Sequence, residues 1–481
     1  METKQAQDGR FVTGSTLRHV VVMTTTGAVG LVAVFLVDLV SLLYISWLGV
    51  KSVTAGVGLA TILLFFVTSI NVGLMIATGA LVARRLGARD REGARRLAAS
   101  TLAWSVIAAT AATLAIWPLV PTIMGWLGAE GAAKEVAVGF VTMVLPANIL
   151  MALGMGASGV LRAVGDARRA MYVTLSGAVF TAVLDPILIF GLGLGWQGAA
   201  LGMIAARVVF VAVGLWGVVR VHDLLARPAL ADLLRDGPPM AHIAGPAILT
   251  AIASPVAAGF AARFIAQFGD EAIAGNAIVE RLVPLAFGGL FALSGAVGPI
   301  LGQNWGAARY DRMKRILRDS MLVAGIYVLV TWALLVVFRH EIVALFGISG
   351  AAAELVAFFC LISGPVWFFN GLLFVANASF NNLGYPLFST AFNWGRATLG
   401  VVPFAWLGAA LAGPQGVLAG VGLGAIGFGV AAIATAFWTV RTLERRDGAA
   451  RLRRDEIREA GVAPPAAPPE KPSSAAAQRV G

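Results

Sequence analysis

The stretch VVVMTTTGAVGLVAVFLVDLVSLLYISW, residues 20–47, decides the class of fold. It is almost entirely apolar and exceeds the ~20 residues that a helix needs to cross a ~30 Å hydrocarbon core. Asp38 nevertheless lies within it. A charged aspartate at the centre of a membrane helix costs about 2.5–3.5 kcal/mol. We therefore expect Asp38 to face a cavity, a partner or a transport path and not lipid.

The rest of the chain has the same apolar character. Hydrophobic residues make up 58% of the 481 residues and charged residues only 13%, whereas soluble domains contain about 25% charged residues. Apolar runs of about 20 residues recur along the chain and predict an all-α membrane protein. We expect twelve transmembrane helices, close to residues 18–47, 53–83, 98–121, 136–160, 170–192, 197–219, 241–265, 272–302, 318–338, 352–380, 386–411 and 415–440.

The chain is organised as two copies of a six-helix unit. The same number of residues separates Pro146 from Pro365 and Gly165 from Gly384. We call this number the repeat spacing. Because six is even, both copies enter the membrane in the same direction, as do the parallel repeats of many secondary transporters. A duplicated scaffold without transport activity is the alternative. The predicted segments are a cytoplasmic N-terminal segment 1–17, an N-lobe 18–220, a cytoplasmic linker 221–240, a C-lobe 241–441 and a largely disordered cytoplasmic tail 442–481.

The net charge of +11 lies mainly in alternate loops. Arginines cluster after the second, fourth, sixth, eighth and twelfth predicted helices, and this positive-inside pattern places both termini in the cytoplasm. The pattern explains the charge without a nucleic-acid partner, and it leaves membrane lipids as the expected contacts of the basic tail. The polar start predicts no cleavable signal peptide. Cys360 is the only cysteine, so an intrachain disulfide is excluded.

A second aspartate, Asp185, lies inside the fifth predicted helix at a depth similar to that of Asp38. Asp38 precedes the outer end of its helix by roughly 14 Å and Asp185 by roughly 11 Å, at 1.5 Å per residue. We expect the two carboxylates to share a cavity in the N-lobe and to carry a proton from the outer face to the inner face. One charge that falls through 100 mV sustains a gradient of roughly 50-fold. The alternative is that each aspartate caps a helix or pairs with an arginine.

Other charges also lie inside predicted spans, among them Glu280, Arg207 and Arg396. We expect internal ion pairs, with Arg263 as a candidate partner for Glu280. The functional alternative is that Glu280 binds a cation while Arg207 or Arg396 contacts an anion. Amide side chains inside the spans are expected to cross-link helices or to line a wet cavity, and they include Asn71, Asn370 and Asn377.

Enzyme signatures are absent from the sequence. No HExxH, GxSxG or Walker motif occurs, and the four histidines are scattered near span ends or in loops. This predicts no catalytic residues, no metal site, no cofactor and no direct use of ATP. The remaining alternatives to a transporter of amphipathic compounds are a lipid or lipid-linked saccharide flippase, which needs a strongly cationic cavity, and a membrane enzyme or scaffold.

Residues 18–440 resemble the multidrug and toxic compound extrusion (MATE) family of cation-coupled exporters. The resemblance rests on FLVDLVSLLYISWLG around Asp38, GALVARRLGARD, LPANILMALGMGASGVLRAVGD, AVLDPILIFGLGLGWQGAALG around Asp185, and LGQNWGAARYDRMKR. It implies a V-shaped arrangement of two six-helix lobes and export by alternating access. It also implies that Asp38 and Asp185 form the first-lobe cation or proton site.

Two departures refine this resemblance. Sodium-binding members place oxygen donors near the positions of Thr181 and Met203, and a methionine offers no hard oxygen, which favours protons over sodium. Second-lobe carboxylates of one branch are replaced here by Ser254 and Asn370, which points to the DNA-damage-inducible-F-like branch. We therefore expect a monomeric, proton-coupled exporter of amphipathic, cationic organic compounds in the bacterial cytoplasmic membrane.

Overall fold

The computed structural model describes residues 9–459, so residues 1–8 of the predicted N-terminal segment and 460–481 of the predicted tail lie outside the described residues. Across the described range the chain is helical and contains no strand. Ten helices are long and apolar enough to cross a membrane singly: α1 Thr16–Ser46, α2 Lys51–Gly87, α3 Arg91–Trp126, α4 Gly131–Val164, α5 Ala167–Gly191, α6 Gly195–Val221, α7 Leu230–Ala266, α8 Asp270–Gly306, α9 Tyr310–Val337 and α10 Gly350–Asn382.

The last apolar stretch, Pro386–Ala449, contains two passes. Ala412 and Gly413 have non-helical backbone angles, and the φ of Gly413 is 59°, a left-handed value that favours glycine. They divide the stretch into α11 (386–411) and α12 (414–459). This gives the twelve predicted passes within the described part of the chain.

Two helices extend beyond the predicted passes. α12 continues to Glu459, so the first part of the predicted, largely disordered tail is helical, because its many Arg, Glu and Ala residues are strong helix formers. α7 begins at Leu230, and only residues 222–229 of the predicted linker separate it from α6. Contacts with α3 support this early start, since Trp104 Nε1 donates to the carbonyl of Leu233 at 2.8 Å.

The duplication is visible in the backbone. The starts of α2 and α8, of α3 and α9, and of α4 and α10 are each separated by the repeat spacing. The same spacing relates backbone turns with positive φ, including the two non-glycine residues Arg89 and Ala308, with φ of 60° and 52°. The N-lobe (α1–α6) and the C-lobe (α7–α12) are therefore two copies of one fold, arranged as the predicted V.

The lobes meet at the end of the molecule that carries the arginine-rich loops, which we call the basic end. Here α2 and α8 cross, with Gly87 against the backbone of Gln303 and Gly306 against the carbonyl of Arg84. A Cβ atom on either glycine would overlap the backbone of the other lobe. The guanidinium of Arg84 also lies 3.7 Å from the centroid of a ring of Trp305, a cation–π contact between the lobes.

Residues 9–15, which we call the N-terminal strap, also bridge the lobes at the basic end. Phe11 is 1% exposed, and its backbone N–H donates to Gln303 Oε1 at 2.9 Å. Asn304 Nδ2 donates to the carbonyl of Phe11 at 3.1 Å, while Arg10 donates to the carbonyl of Gly165 in the N-lobe at 2.9 Å. Closure of the lobes at this end therefore involves the strap as well as α2 and α8.

Candidate functional site

The two predicted acidic residues lie on neighbouring helices of the N-lobe. Asp185 is 1% exposed, and its Oδ2 accepts a hydrogen bond of 2.6 Å from the hydroxyl of Ser41 on α1. Asp38 lies one turn before Ser41, has an exposed side chain, and is close enough to Asp185 for the two charges to interact. Pro186 follows Asp185, and α5 changes to a π-helical turn immediately afterwards, a feature that is frequent at functional sites.

The second oxygen of Asp185 has no hydrogen-bond partner. Oδ1 is enclosed and faces Gly202 of α6, where a Cβ atom would overlap it. Neither Asp185 nor Asp38 forms an ion pair with any residue between 9 and 449. Pairing with an arginine, the alternative role considered for both aspartates, does not occur in this structure.

The two positions compared with sodium-binding members flank Asp185. Thr181 lies one turn before it on α5, and its hydroxyl donates to the carbonyl of Gly177 at 3.0 Å. Met203 follows Gly202 on α6, and its sulfur accepts a long contact of 3.7 Å from Arg207. Thr181 supplies one hard oxygen at these two positions, and Met203 supplies none.

The duplicated fold repeats the packing around Asp185 but not the carboxylate. Phe404 of α11 is the counterpart of Asp185, which it follows by the repeat spacing. Gly420 of α12 is the counterpart of Gly202, which it follows by one residue less than the repeat spacing. Gly420 faces the backbone carbonyl of Phe404, just as Gly202 faces Asp185. The close helix crossing is therefore common to both lobes, whereas the acidic group belongs to the N-lobe alone.

The predicted ion pair of Arg207 is wrong. Arg207 is 8% exposed, and its Nη1 donates to the backbone carbonyl of Val144 at 3.0 Å. The segment Leu145–Ala147 forms a 3-10 turn in which the amide of Asn148 bonds to the carbonyl of Leu145. This leaves the carbonyl of Val144 without its helical donor, so Arg207 has a structural partner that is not an acid.

The predicted ion pairs of Glu280 and Arg396 are also absent among the described residues. Glu280 and its candidate partner Arg263 both have exposed side chains and form no pair. Arg396 is 9% exposed, and its Nε has no hydrogen-bond partner. Glu280 and Arg263 are therefore exposed and unpaired among the described residues, whereas Arg396 is buried and its Nε has no partner.

The predicted cross-linking by amide side chains holds for two of the three asparagines. Asn71 Nδ2 donates to Asn148 Oδ1 at 2.7 Å and joins α2 to α4. Asn377 Oδ1 accepts from Asn393 Nδ2 at 2.9 Å and joins α10 to α11. Asn370 instead donates to the carbonyl of Val366 in its own helix at 3.1 Å.

Several residues of these sites were not identified from the sequence. Ser41 carried a usable signal, because it lies three residues after Asp38 and so shares its side of α1. Gly202 carried no signal beyond its counterpart Gly420 in the duplicated sequence. Asn148 and Asn393 gave no distinguishing signal, since their roles depend on which helices become neighbours.

A duplicated bundle of twelve membrane-length helices, closed at one end and carrying two acids within one lobe, is the architecture of a membrane transporter. The family model described as MatE matches residues 28–187 and 246–407, which together cover more than half of the chain. The chain therefore belongs to the MatE family, whose members are transporters and not enzymes.

Curated relatives carry transport names. The chain is 25% identical over 405 residues to a FAD transporter of Shewanella oneidensis, covering 82% of this chain and 89% of that protein. It is 26% identical over 318 residues to the multidrug export protein MepA of Staphylococcus aureus, covering 62% of this chain and 67% of that protein.

Solved structures share the fold. An outward-facing multidrug resistance MATE transporter of the MOP superfamily matches with a TM-score of 0.85 and 21% identity, over 92% of this chain and all of that one. A point mutant of the Vibrio cholerae MATE transporter VcmN matches with a TM-score of 0.84 and 24% identity, over 89% of this chain and 98% of that one.

Proposed function

We propose that this protein exports amphipathic organic compounds in exchange for protons, by alternating access across the bacterial cytoplasmic membrane. The observation that carries the proposal is the unpartnered Oδ1 of Asp185, enclosed beside Asp38 in the N-lobe. An oxygen without a partner can take up a proton without breaking an existing hydrogen bond. Ionisable groups inside a membrane bundle commonly belong to proton relays.

The choice of a proton over sodium follows from the atoms around Asp185. Hard cations favour several oxygen ligands, but the side chain next to Gly202 is the thioether of Met203, which already contacts Arg207. The hydroxyl of Ser41 donates to the carboxylate and, in that orientation, directs its hydrogen toward the site. A proton needs only one free oxygen.

The positive-inside pattern supports an orientation for this state. It places the basic end, where α2, α8 and the N-terminal strap join the lobes, in the cytoplasm together with both termini. The cleft of the V then opens to the outside. In this orientation Asp38 and Asp185 belong to the lobe that receives protons from outside, as an antiporter driven by the inward proton gradient requires.

The cargo is proposed as a class and not as one compound. The names of the relatives, a FAD transporter and a multidrug export protein, support cargoes that combine an aromatic ring system with polar groups. The sequence favoured a cationic cargo, and the two N-lobe carboxylates offer such a cargo negative charge. The flippase alternative requires a strongly cationic cavity. It loses support because the guanidinium of Arg207 donates to a backbone carbonyl. We propose a monomer as the working unit, since each lobe supplies half of the cleft.

Transport into inside-out membrane vesicles tests this function. Vesicles with an acidified lumen should accumulate a fluorescent dye such as ethidium, and dissipation of the pH gradient should stop the accumulation. Replacement of sodium by potassium at a fixed pH gradient should leave the rate unchanged. Accumulation that follows sodium and ignores the pH gradient would refute proton coupling.

A further inference from the structure

Polar side chains connect α10 and α11 through the interior of the C-lobe. Ser389 Oγ donates to Asn381 Oδ1 at 3.1 Å, and one turn further along α11 Asn393 Nδ2 donates to Asn377 Oδ1 at 2.9 Å. Ser389, Asn393 and Arg396 are spaced i, i+4 and i+7 and therefore share one face of α11. We call this row of side chains the C-lobe polar stripe, and Arg396 is its last member.

Arg396 ends the stripe without a partner. Its side chain is 9% exposed, the Nε of the side chain is enclosed without a hydrogen bond, and no hydrogen bond or ion pair joins this side chain to another described residue. The regular α-helix also stops at this residue, because Arg396–Gly400 is a π-helical turn. Such turns are frequent at functional sites.

The duplicated fold does not require an arginine at this position. Gly177 of α5 precedes Arg396 by the repeat spacing, and a Cβ atom at Gly177 would overlap the ring of Phe210. The N-lobe thus forms the same helix with no side chain at all. A charge that is expensive within the membrane and that the scaffold does not need is accounted for by a ligand of opposite charge.

We propose that Arg396 binds an acidic group of the cargo, a phosphate or carboxylate, in the interior of the C-lobe. The planar guanidinium forms paired hydrogen bonds with such groups, and the π-helical turn positions it there. The C-lobe arginine then binds an acidic group of the cargo, while the N-lobe carboxylates bind protons and offer negative charge to a cationic group. This inference rests on the proposed export function.

Flavins provide a matched set of probes, because riboflavin and flavin mononucleotide share one ring system and differ by a phosphate. The quenching of flavin fluorescence by purified protein in nanodiscs measures both affinities without any gradient. Wild-type protein should bind the mononucleotide at least about tenfold more tightly than riboflavin, the range expected for a charge-assisted hydrogen bond. Arg396→Gln should remove this preference by weakening the mononucleotide alone, and Arg396→Lys should retain part of it.

Arg207→Gln is the control, because it also removes a buried guanidinium but one that bonds to the carbonyl of Val144. It should leave the ratio of the two affinities unchanged. The inference fails if wild-type protein binds riboflavin as tightly as the mononucleotide, a result that requires no variant to fold. It also fails if Arg396→Gln weakens both flavins equally. These titrations use no proton gradient, so their failure would leave the antiport proposal standing, and loss of proton coupling would leave the Arg396 inference standing.

Discussion

Ser41 of α1 donates a hydrogen bond to Oδ2 of Asp185 of α5 at 2.6 Å, and this bond links the proposed proton site to the helix that contacts the other lobe. The same helix packs on α8, where a Cβ atom on Gly288 would lie 3.6 Å from the side chain of Val32. A change of charge at Asp185 therefore acts on a helix that also forms part of the contact between the lobes.

Asp38→Asn and Asp185→Asn should each insert and fold but lose gradient-driven export. Either change removes an ionisable group, so the dye concentration ratio that the pH gradient drives should fall toward 1. Dye accumulation in inside-out vesicles measures the ratio. Glu280→Gln is the matched control, because this acid also lies within a span but belongs to α8 of the C-lobe, apart from the Asp38 and Asp185 pair, and it should retain export. Full activity in both aspartate variants would remove the proposed mechanism.

Gly202→Ala should impair transport more than stability. The new methyl group would overlap Oδ1 of Asp185, the end of a side chain that can rotate away, so the site should be displaced while the fold survives. Gly420→Ala is the counterpart in the C-lobe, where the methyl group meets the backbone carbonyl of Phe404. That variant should lose about 1–3 kcal/mol of stability through overpacking. Thermal unfolding and dye transport should be measured on both variants. The prediction is contradicted if the two substitutions have the same effects on stability and transport.

Arg207→Ala should destabilise the N-lobe by about 1–3 kcal/mol, because the carbonyl of Val144 would be left buried without a donor. Arg281→Ala removes an exposed arginine and should change stability by no more than about 0.5 kcal/mol. Unfolding of the detergent-solubilised variants, followed by fluorescence, provides the comparison. Normal stability of Arg207→Ala combined with a changed choice of cargo would show that Arg207 contacts the cargo instead.

Asp166 should make stability at the basic end depend on pH. It caps α5 by accepting from the amide of Arg169 at 3.1 Å, and its Oδ2 accepts from His222 at 2.8 Å. Burial alone would raise the pKa of this carboxyl, but the hydrogen bonds from His222 and Arg169 outweigh it and hold the pKa below its ordinary value.

A lowered pKa means that Asp166 stabilises the fold above its ordinary pKa of about 3.9 and loses this effect as the pH falls below that value. Asp166→Ala should cost about 1–2 kcal/mol at pH 7 through loss of the cap. The difference between the melting curves of wild type and variant should stay constant from pH 7 to about 4 and shrink as the pH falls further. A difference that does not shrink below about pH 4 would contradict the role of the charge.

Phe11→Ala should loosen closure at the basic end, because it removes a fully buried ring from between the lobes. The substitution Ala83→Cys reports on this closure, because Ala83 is 0% exposed and faces Gly302 across the contact between the lobes. The native Cys360 is itself buried. Maleimide labelling of Ala83→Cys should become several-fold faster in the Phe11→Ala background. Phe65→Ala, which removes a ring that is 53% exposed, should leave the rate unchanged.

The hydropathy pattern and the repeat spacing were sufficient to predict the twelve passes and their division into two lobes. The depth argument also placed Asp38 and Asp185 together, because helical rise converts sequence position into depth without knowledge of packing. Both predictions depend only on local geometry and on the requirement that a helix span the bilayer.

The partners of the buried charges could not be predicted in this way. The acceptor for Arg207 is a backbone carbonyl that becomes free only because the turn at Leu145–Ala147 tightens, and hydropathy carries no trace of that turn. The contact of Phe11 with Gln303 joins two segments that are far apart in the sequence. Such contacts depend on how the two lobes are oriented, which the spacing of landmarks does not specify.

The crossing of α2 and α8 at Gly87 and Gly306 has a mechanical consequence. Because the two backbones are in contact there, the helices have almost no room to slide past one another. They can still rotate relative to each other about the crossing point. A helix extends about 30 Å over 20 residues, so a swivel of about 10° would displace its far end by about 5 Å. A small change in the crossing angle of α2 and α8 at these two glycines would therefore move the helix ends at the open side of the cleft. The displacement is about the width of an aromatic ring.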